Sequence, residues 1–111
     1  MGNTVYVCKI GDMKNEEMKT IKFGEEDVLI ANVGGQFYGV SAICPHMSGY
    51  LGKGKLTGPI IRCPVHGAEY DVRTGKIAKN IPWLMRKMTN ETSDLKTYPI
   101  IVDNEEVKIS F

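Results

Sequence analysis

The sequence predicts an all-β fold, an antiparallel sandwich or barrel of short strands that carries one loop-built insertion. Three observations predict it. β-Branched and aromatic residues dominate short runs at both ends of the chain. Pairs of turn-forming residues separate consecutive runs, as in hairpins. Between them lies a middle segment crowded with glycine and proline, where no regular element can run far.

Residues 4–10 (TVYVCKI) form the first strand, since such side chains fit a pleated, half-buried surface. The polar stretch 11–19 holds three acids and has room for one helical turn, without an apolar stripe long enough for a packed helix. A short strand follows at 20–23. Runs 27–33 and 36–42 are joined by Gly34 and Gly35, a two-residue loop suited to a tight hairpin because glycine accepts the positive φ of primed turns. Near the end, runs 98–102 and 105–110 flank Asp103 and Asn104, a second hairpin. Pro99 has no N–H for a ladder, which places the first of these runs at a sheet edge. The middle contains five glycines (49, 52, 54, 58 and 67), and Pro45, Pro59 and Pro64 interrupt the same region. Short strands fit 60–62 and 69–72, with a turn at Thr74 and Gly75. Residues 73–97 carry the weakest pattern; 83–88 reads as a helical turn or a loop lying across the sheet, with Trp83 packed on it.

A chain of 111 residues fits a single domain, 1–111, with one modest core. Fourteen Lys and Arg against thirteen Asp and Glu leave a formal charge of +1, which supplies no basic footprint for nucleic acid. No apolar run approaches the ~18 residues of a membrane span. Residues 1–5 lack the basic and apolar regions of a secretory signal, so the expected compartment is the cytoplasm. Three cysteines are too few for a disulfide scaffold, and patterned cysteines in a reducing compartment are metal ligands or catalysts more often than bridges.

The pattern is Cys44-Pro45-His46 and Cys63-Pro64-Val65-His66. Both histidines of the chain and two of its three cysteines fall within 23 residues. Taken singly, each would pass as a surface histidine or a small buried hydrophobe; as two matched Cys–His pairs they form a donor set for zinc, copper or an iron–sulfur cluster. In a zinc finger one turn supplies both cysteines and a helix both histidines, whereas here each loop brings one of each, sixteen residues apart. Two such loops can grip a two-iron rhomb from opposite sides, with both thiolates on one iron and both imidazoles on the other. Cys-x-His is also too tight for a helix face, so it belongs on a turn. Cys8 has no histidine near it in sequence and is expected as a buried thiol on the first strand.

With Cys44-x-His46, the sixteen-residue gap, Cys63-Pro64-x-His66-Gly67, then Tyr70-Asp71 and Thr74-Gly75-Lys76, the sequence resembles the Rieske-type ferredoxins, small electron carriers of ring-hydroxylating oxygenases. The hairpin ending in Tyr38-Gly39-Val40 and the closing hairpin extend the resemblance over most of the chain. It implies a cluster-binding subdomain at about 43–82, inserted in the β core and made of loops 43–50 and 62–68. It implies one Rieske [2Fe–2S] cluster held by Cys44 and Cys63 on the inner iron and His46 and His66 on the outer, with Gly67 and Tyr70 completing the site. Three positions depart from the respiratory Rieske proteins. Gly49 and Val65 stand where those have a disulfide, and Ala68 stands where they have a serine donating to a cluster sulfur. Tyr70 matches a tyrosine that donates to a ligand sulfur. Hydrogen bonds to sulfur stabilise the reduced state, so one donor lost and one kept predict a potential in the lower to middle part of the roughly −150 to +300 mV Rieske span.

The resemblance implies a one-electron carrier that is not an enzyme on its own, taking electrons from a flavin-dependent reductase and passing them to a terminal oxygenase through transient docking. Two alternatives remain at this stage: an electron-transfer subunit of a larger redox enzyme, and a structural zinc module with two Cys and two His ligands. A proline-containing segment around Pro82 shields the cluster in relatives, and Trp83, Met85 and Met88 add a candidate docking surface.

Overall fold

The computed structural model describes residues 4–43, 50–64, 67–79 and 94–110. Eleven strands run through them: β1 Thr4–Lys9, β2 Met18–Phe23, β3 Glu26–Val33, β4 Gln36–Ser41, β5 Lys55–Thr57, β6 Ile60–Arg62, β7 Glu69–Asp71, β8 Ile77–Lys79, β9 Thr97–Tyr98, β10 Ile100–Asp103 and β11 Glu106–Ser110. Among the described residues the only helical pieces are single 3₁₀ turns at Ile10–Asp12 and Leu51–Lys53. The all-β expectation holds, and every pairing is antiparallel.

The strands form three sheets, ordered β1-β11-β10, β2-β3-β4-β9 and β5-β6-β7-β8. β3 explains how they stack. Its run Val28-Leu29-Ile30-Ala31 is fully buried on both faces. Val28 and Ile30 join Val7, Cys8, Val107 and Ile109 in one core, while Leu29 and Ala31 join Leu56, Ile61, Cys63 and Tyr70 in the other. The middle sheet is thus sandwiched, and an unbroken apolar run is what a strand covered on two sides needs. Asn32 ends that run and stays buried because both ends of its amide are used. Its Nδ2 donates to the Met13 carbonyl at 2.8 Å, and its Oδ1 accepts from the Gly35 N–H at 2.9 Å. The polar stretch that precedes β2 is thereby stitched to the β3–β4 hairpin.

The closing hairpin differs by one residue from its sequence pattern. Asp103 pairs with Glu106, so the two-residue loop is Asn104 and Glu105, with φ of 52° and 64°. A primed turn needs positive φ at both positions; asparagine tolerates this, whereas glutamate is strained. Glu105→Gly is therefore expected to stabilise the fold by about 1 kcal/mol. A urea midpoint that rises at unchanged slope would bear this out, and a lower midpoint would refute it.

The run expected at 98–102 is split at Pro99. Tyr98 pairs with Gly39 in the middle sheet, and Ile100 pairs with Ile109 in the outer one. Proline, with no N–H to place, sits where the chain changes sheets, and its carbonyl accepts from the Ser110 N–H at 2.9 Å. Beside this corner the Tyr98 phenol and the Lys96 ammonium both donate to Glu26 Oε1, the latter at 2.9 Å. The Tyr98 hydrogen bond first, then Lys96, hold the Glu26 carboxyl below its usual range. Burial, followed by that same bond, pushes the Tyr98 phenol up. Since Glu26 is depressed in the fold, its contribution is present above about pH 4 and is lost as pH falls through the folded value. Tyr98 is raised, so its contribution is present below about pH 10 and is lost as pH climbs through the folded value. Stability measured against pH should fall at both extremes, and Glu26→Gln should flatten the acid limb; an unchanged acid limb in that variant would remove Glu26 as its cause.

Candidate metal centre

Two loops leave the β framework, and each is pinned at its foot. The first is closed by an isolated antiparallel bridge between Ile43 and Tyr50, backed by the Leu51 N–H donating to the Ala42 carbonyl at 2.8 Å. The second joins β6 to β7. Cys63 N–H donates to the Ala68 carbonyl at 2.8 Å, and Gly67 N–H donates to the Cys63 carbonyl at 3.1 Å. Gly67 has φ of +79°, and a Cβ there would lie 2.8 Å from the Arg62 guanidinium. The positive φ is what calls for glycine, since the tip of the Arg62 side chain can swing aside. The expected place of Gly67 in the site is thus a conformational one, letting the loop turn back under the Arg62 side chain.

Cys63, Ala68 and Tyr70 are each fully buried in the core that faces Leu29 and Val40. β6 and β7 are extended strands, so alternate residues share a face. Ile61, Cys63 and, across the ladder, Tyr70 point inward, while Arg62 points out. Cys44, His46 and His66 lie outside the described residues, as do Pro82, Trp83, Met85 and Met88. Cys8 is buried on β1 in the other core, and burial pushes its thiol up, as expected of a packing residue and not of a ligand.

Two contributors escaped the sequence pattern. Gly54 enters β5 so close to β6 that a Cβ would fall 1.9 Å from the Arg62 carbonyl oxygen. The Lys55–Thr57 strand itself has only three residues, which is too short for a periodic signal. Its partner Arg62 stands beside the second loop, and the charges around it had a signal in the segment-by-segment charge count, which the whole-chain value averages away.

Cys63 is fully buried on a backbone-pinned turn, shielded from water, and glycine at the loop's foot lets the chain make a tight return. Both suit an iron–sulfur ligand loop. Residues 3–99 match the Rieske [2Fe-2S] domain family. The chain belongs to that family. Its cofactor is a Rieske-type [2Fe–2S] cluster, which decides against the zinc module. It is 31% identical over 103 residues to the ferredoxin component of biphenyl 2,3-dioxygenase from Rhodococcus jostii (strain RHA1), covering 93% of this chain and 88% of that one. It is also 30% identical over 103 residues to apoptosis-inducing factor 3 of Mus musculus, of which it spans only 16%. Among solved structures, a complex of reduced oxygenase and oxidized ferredoxin in carbazole 1,9a-dioxygenase is 28% identical with a TM-score of 0.84, covering 96% of this chain and 92% of the matched one. The Sphingomonas yanoikuyae B1 ferredoxin shares the fold at a TM-score of 0.81, covering 98% of this chain and 99% of that one at 24% identity. This Rieske chain is an electron-transfer component and not a catalyst in its own right. Among the described residues no helix is long and apolar enough to cross a membrane.

Proposed function

We propose that this Rieske chain is a cytoplasmic ferredoxin that accepts single electrons from a flavin-dependent reductase and delivers them to a terminal ring-hydroxylating oxygenase. The observation that carries the reading is the match to a dioxygenase ferredoxin component over 93% of this chain and 88% of that protein. A solved oxygenase–ferredoxin complex of the same fold supports the downstream half. In this reading residues 1–111 form one domain, with a cluster-binding subdomain at about 43–82.

Cys44 and Cys63 are the proposed ligands of the inner iron, and His46 and His66 those of the outer. When bound, the cluster supplies a one-electron couple with no coordination position open to substrate. The protein holds the Cys63 thiolate in place from both sides of its turn and keeps water from it. Tyr70, buried next to the ligand loop, is the proposed hydrogen-bond donor to a ligand sulfur, whereas Ala68 has no hydroxyl to offer. Nothing in this set attacks or protonates a substrate; the residues position and tune.

The test is composition, spectrum and turnover of the purified holoprotein. Two irons and two acid-labile sulfides per chain, with a Rieske EPR signal on reduction, are expected. Its addition should restore electron flow between an aromatic-ring dioxygenase reductase and its oxygenase when their own ferredoxin is omitted. One zinc without sulfide would overturn the ligand assignment. Stoichiometric co-purification of a larger oxidoreductase chain would replace the free carrier with an enzyme subunit.

A further inference from the structure

The near-zero net charge conceals a division of the molecule. Between residues 50 and 79 there are six Lys and Arg and two acids, so this segment carries +4; the rest has eight against eleven, or −3. The cations of the first segment are also arranged. Lys55 pairs with Arg62, Arg62 with Glu69, and Glu69 with Lys79, so one row crosses all four strands of the β5–β8 sheet on its outer face. Lys55, Arg62 and Lys79 are exposed and Glu69 is half-buried. The row lies immediately beneath the second ligand loop, since Arg62 precedes Cys63 and Glu69 follows Ala68.

Among the described residues the ion pairs are Arg73–Asp71, Lys96–Glu26 and Lys108 with Asp103 and Glu106. None of them involves the row's three cations. The next row outward from the loop is Thr57, Ile60 and Asp71. Lys55, Thr57, Ile60, Arg62 and Glu69 together line a shallow depression of about 380 Å³. Half-buried Ile60 offers an apolar centre, and the cations form its rim on the loop side.

We propose that the outer face of the β5–β8 sheet is the docking surface for a redox partner, and that the partner meets it with an acidic patch. Unneutralised cations beside the ligand loop attract carboxylates to the point where electron exchange is short-range, and the −3 remainder turns the molecule so that this face leads. The proposal rests on the electron-carrier reading above. It adds the sign and position of the partner's charge, which the whole-chain value of +1 does not convey.

The experiment is stopped-flow oxidation of the reduced holoprotein by ferricyanide, a trianion, and by hexaammineruthenium(III), a trication. Each event passes one electron from the protein to the oxidant, giving ferrocyanide or the ruthenium(II) complex. From about 10 to about 200 mM salt the ferricyanide rate should fall by about tenfold or more, while the ruthenium rate rises. Lys55→Glu with Lys79→Glu should reduce the ferricyanide dependence to about twofold. Lys9→Glu with Lys14→Glu changes the net charge equally but lies outside the segment, and should leave the dependence intact. Poly-L-glutamate, standing in for an acidic protein surface, should slow ferricyanide oxidation of the native chain and not of the Lys55/Lys79 variant. Equal responses from the two variants would overturn the proposal, because net charge alone would then govern the encounter. Sedimentation with phosphatidylglycerol vesicles, lost in the Lys55/Lys79 variant, would assign the face to a lipid surface and overturn it too. A holoprotein that exchanges electrons with neither oxidant would instead sink the carrier reading.

Discussion

Cys63→Ser and His46→Ala are each expected to yield colourless protein in which residues 43–68 loosen while β1–β4 and β9–β11 stay folded. A group bound only by the native state shifts the unfolding equilibrium toward it, so losing a ligand removes that contribution from the two loops it clamps. The rest of the molecule has its own support. Val28, Ile30, Val107 and Ile109 are fully buried in a core that contains neither ligand loop. The two variants should nevertheless differ. Cys63 is fully buried among apolar neighbours, so a serine hydroxyl there adds a desolvation cost of about 1–3 kcal/mol. Amide hydrogen exchange is the measurement: protection should persist at Val28–Ala31 and collapse at Cys63 and Ala68. A wholly unprotected apo-protein would mean that the outer core cannot stand without the cluster.

Gly54→Ala is expected to be nearly as damaging without touching a ligand. The new methyl would sit 1.9 Å from the Arg62 carbonyl oxygen and 3.2 Å from that of Leu51, both of them backbone atoms that cannot swing aside. β5 would have to separate from β6 at the residue preceding Cys63. Overpacking of this severity costs about 3 kcal/mol, which for a domain of this size lowers Tm by about 10 °C or more. Cluster retention should decline with it, because the foot of the second loop moves. Gly58, with φ of +56° and nothing within 4 Å of a Cβ, is the control. Asparagine there keeps the turn and should leave Tm within a few degrees, about the spread of ordinary surface substitutions. Equal losses at both glycines would show that crowding is not the cause at Gly54.

The long strands were legible in the sequence because their side chains announce them. β3 is a continuous apolar run, and Gly34 and Gly35 mark its hairpin. β5, β8 and β9 are not legible, because at three, three and two residues they lack the paired isoleucines that mark the equally short β6 and the Tyr70–Val72 alternation that marks β7. The closing turn lies one residue later than its sequence pattern, since Asp103 resembles a turn residue as much as Asn104 does and only the backbone register and φ distinguish them. Of the site, Cys63 is buried at the foot of the second loop, and Cys8 lies in the separate core, as its isolation from histidine suggests. Gly54 and the cation row are not legible in the sequence, because both depend on which strands lie side by side, and that is settled in part by β5, whose three residues carry little pattern of their own.

The shared core behind the second loop has a kinetic consequence. Cys63, Ala68 and Tyr70 pack with Leu29, Ala31 and Val40 of the middle sheet, so the proposed thiolate anchor is continuous with a layer whose central strand is buried on both faces. Close-packed interiors resist displacement, and gaining or losing an electron at such an anchor moves few nuclei. A small reorganisation energy is what lets a carrier exchange quickly at modest driving force, and in the proposed site the strand buried on both faces would supply it.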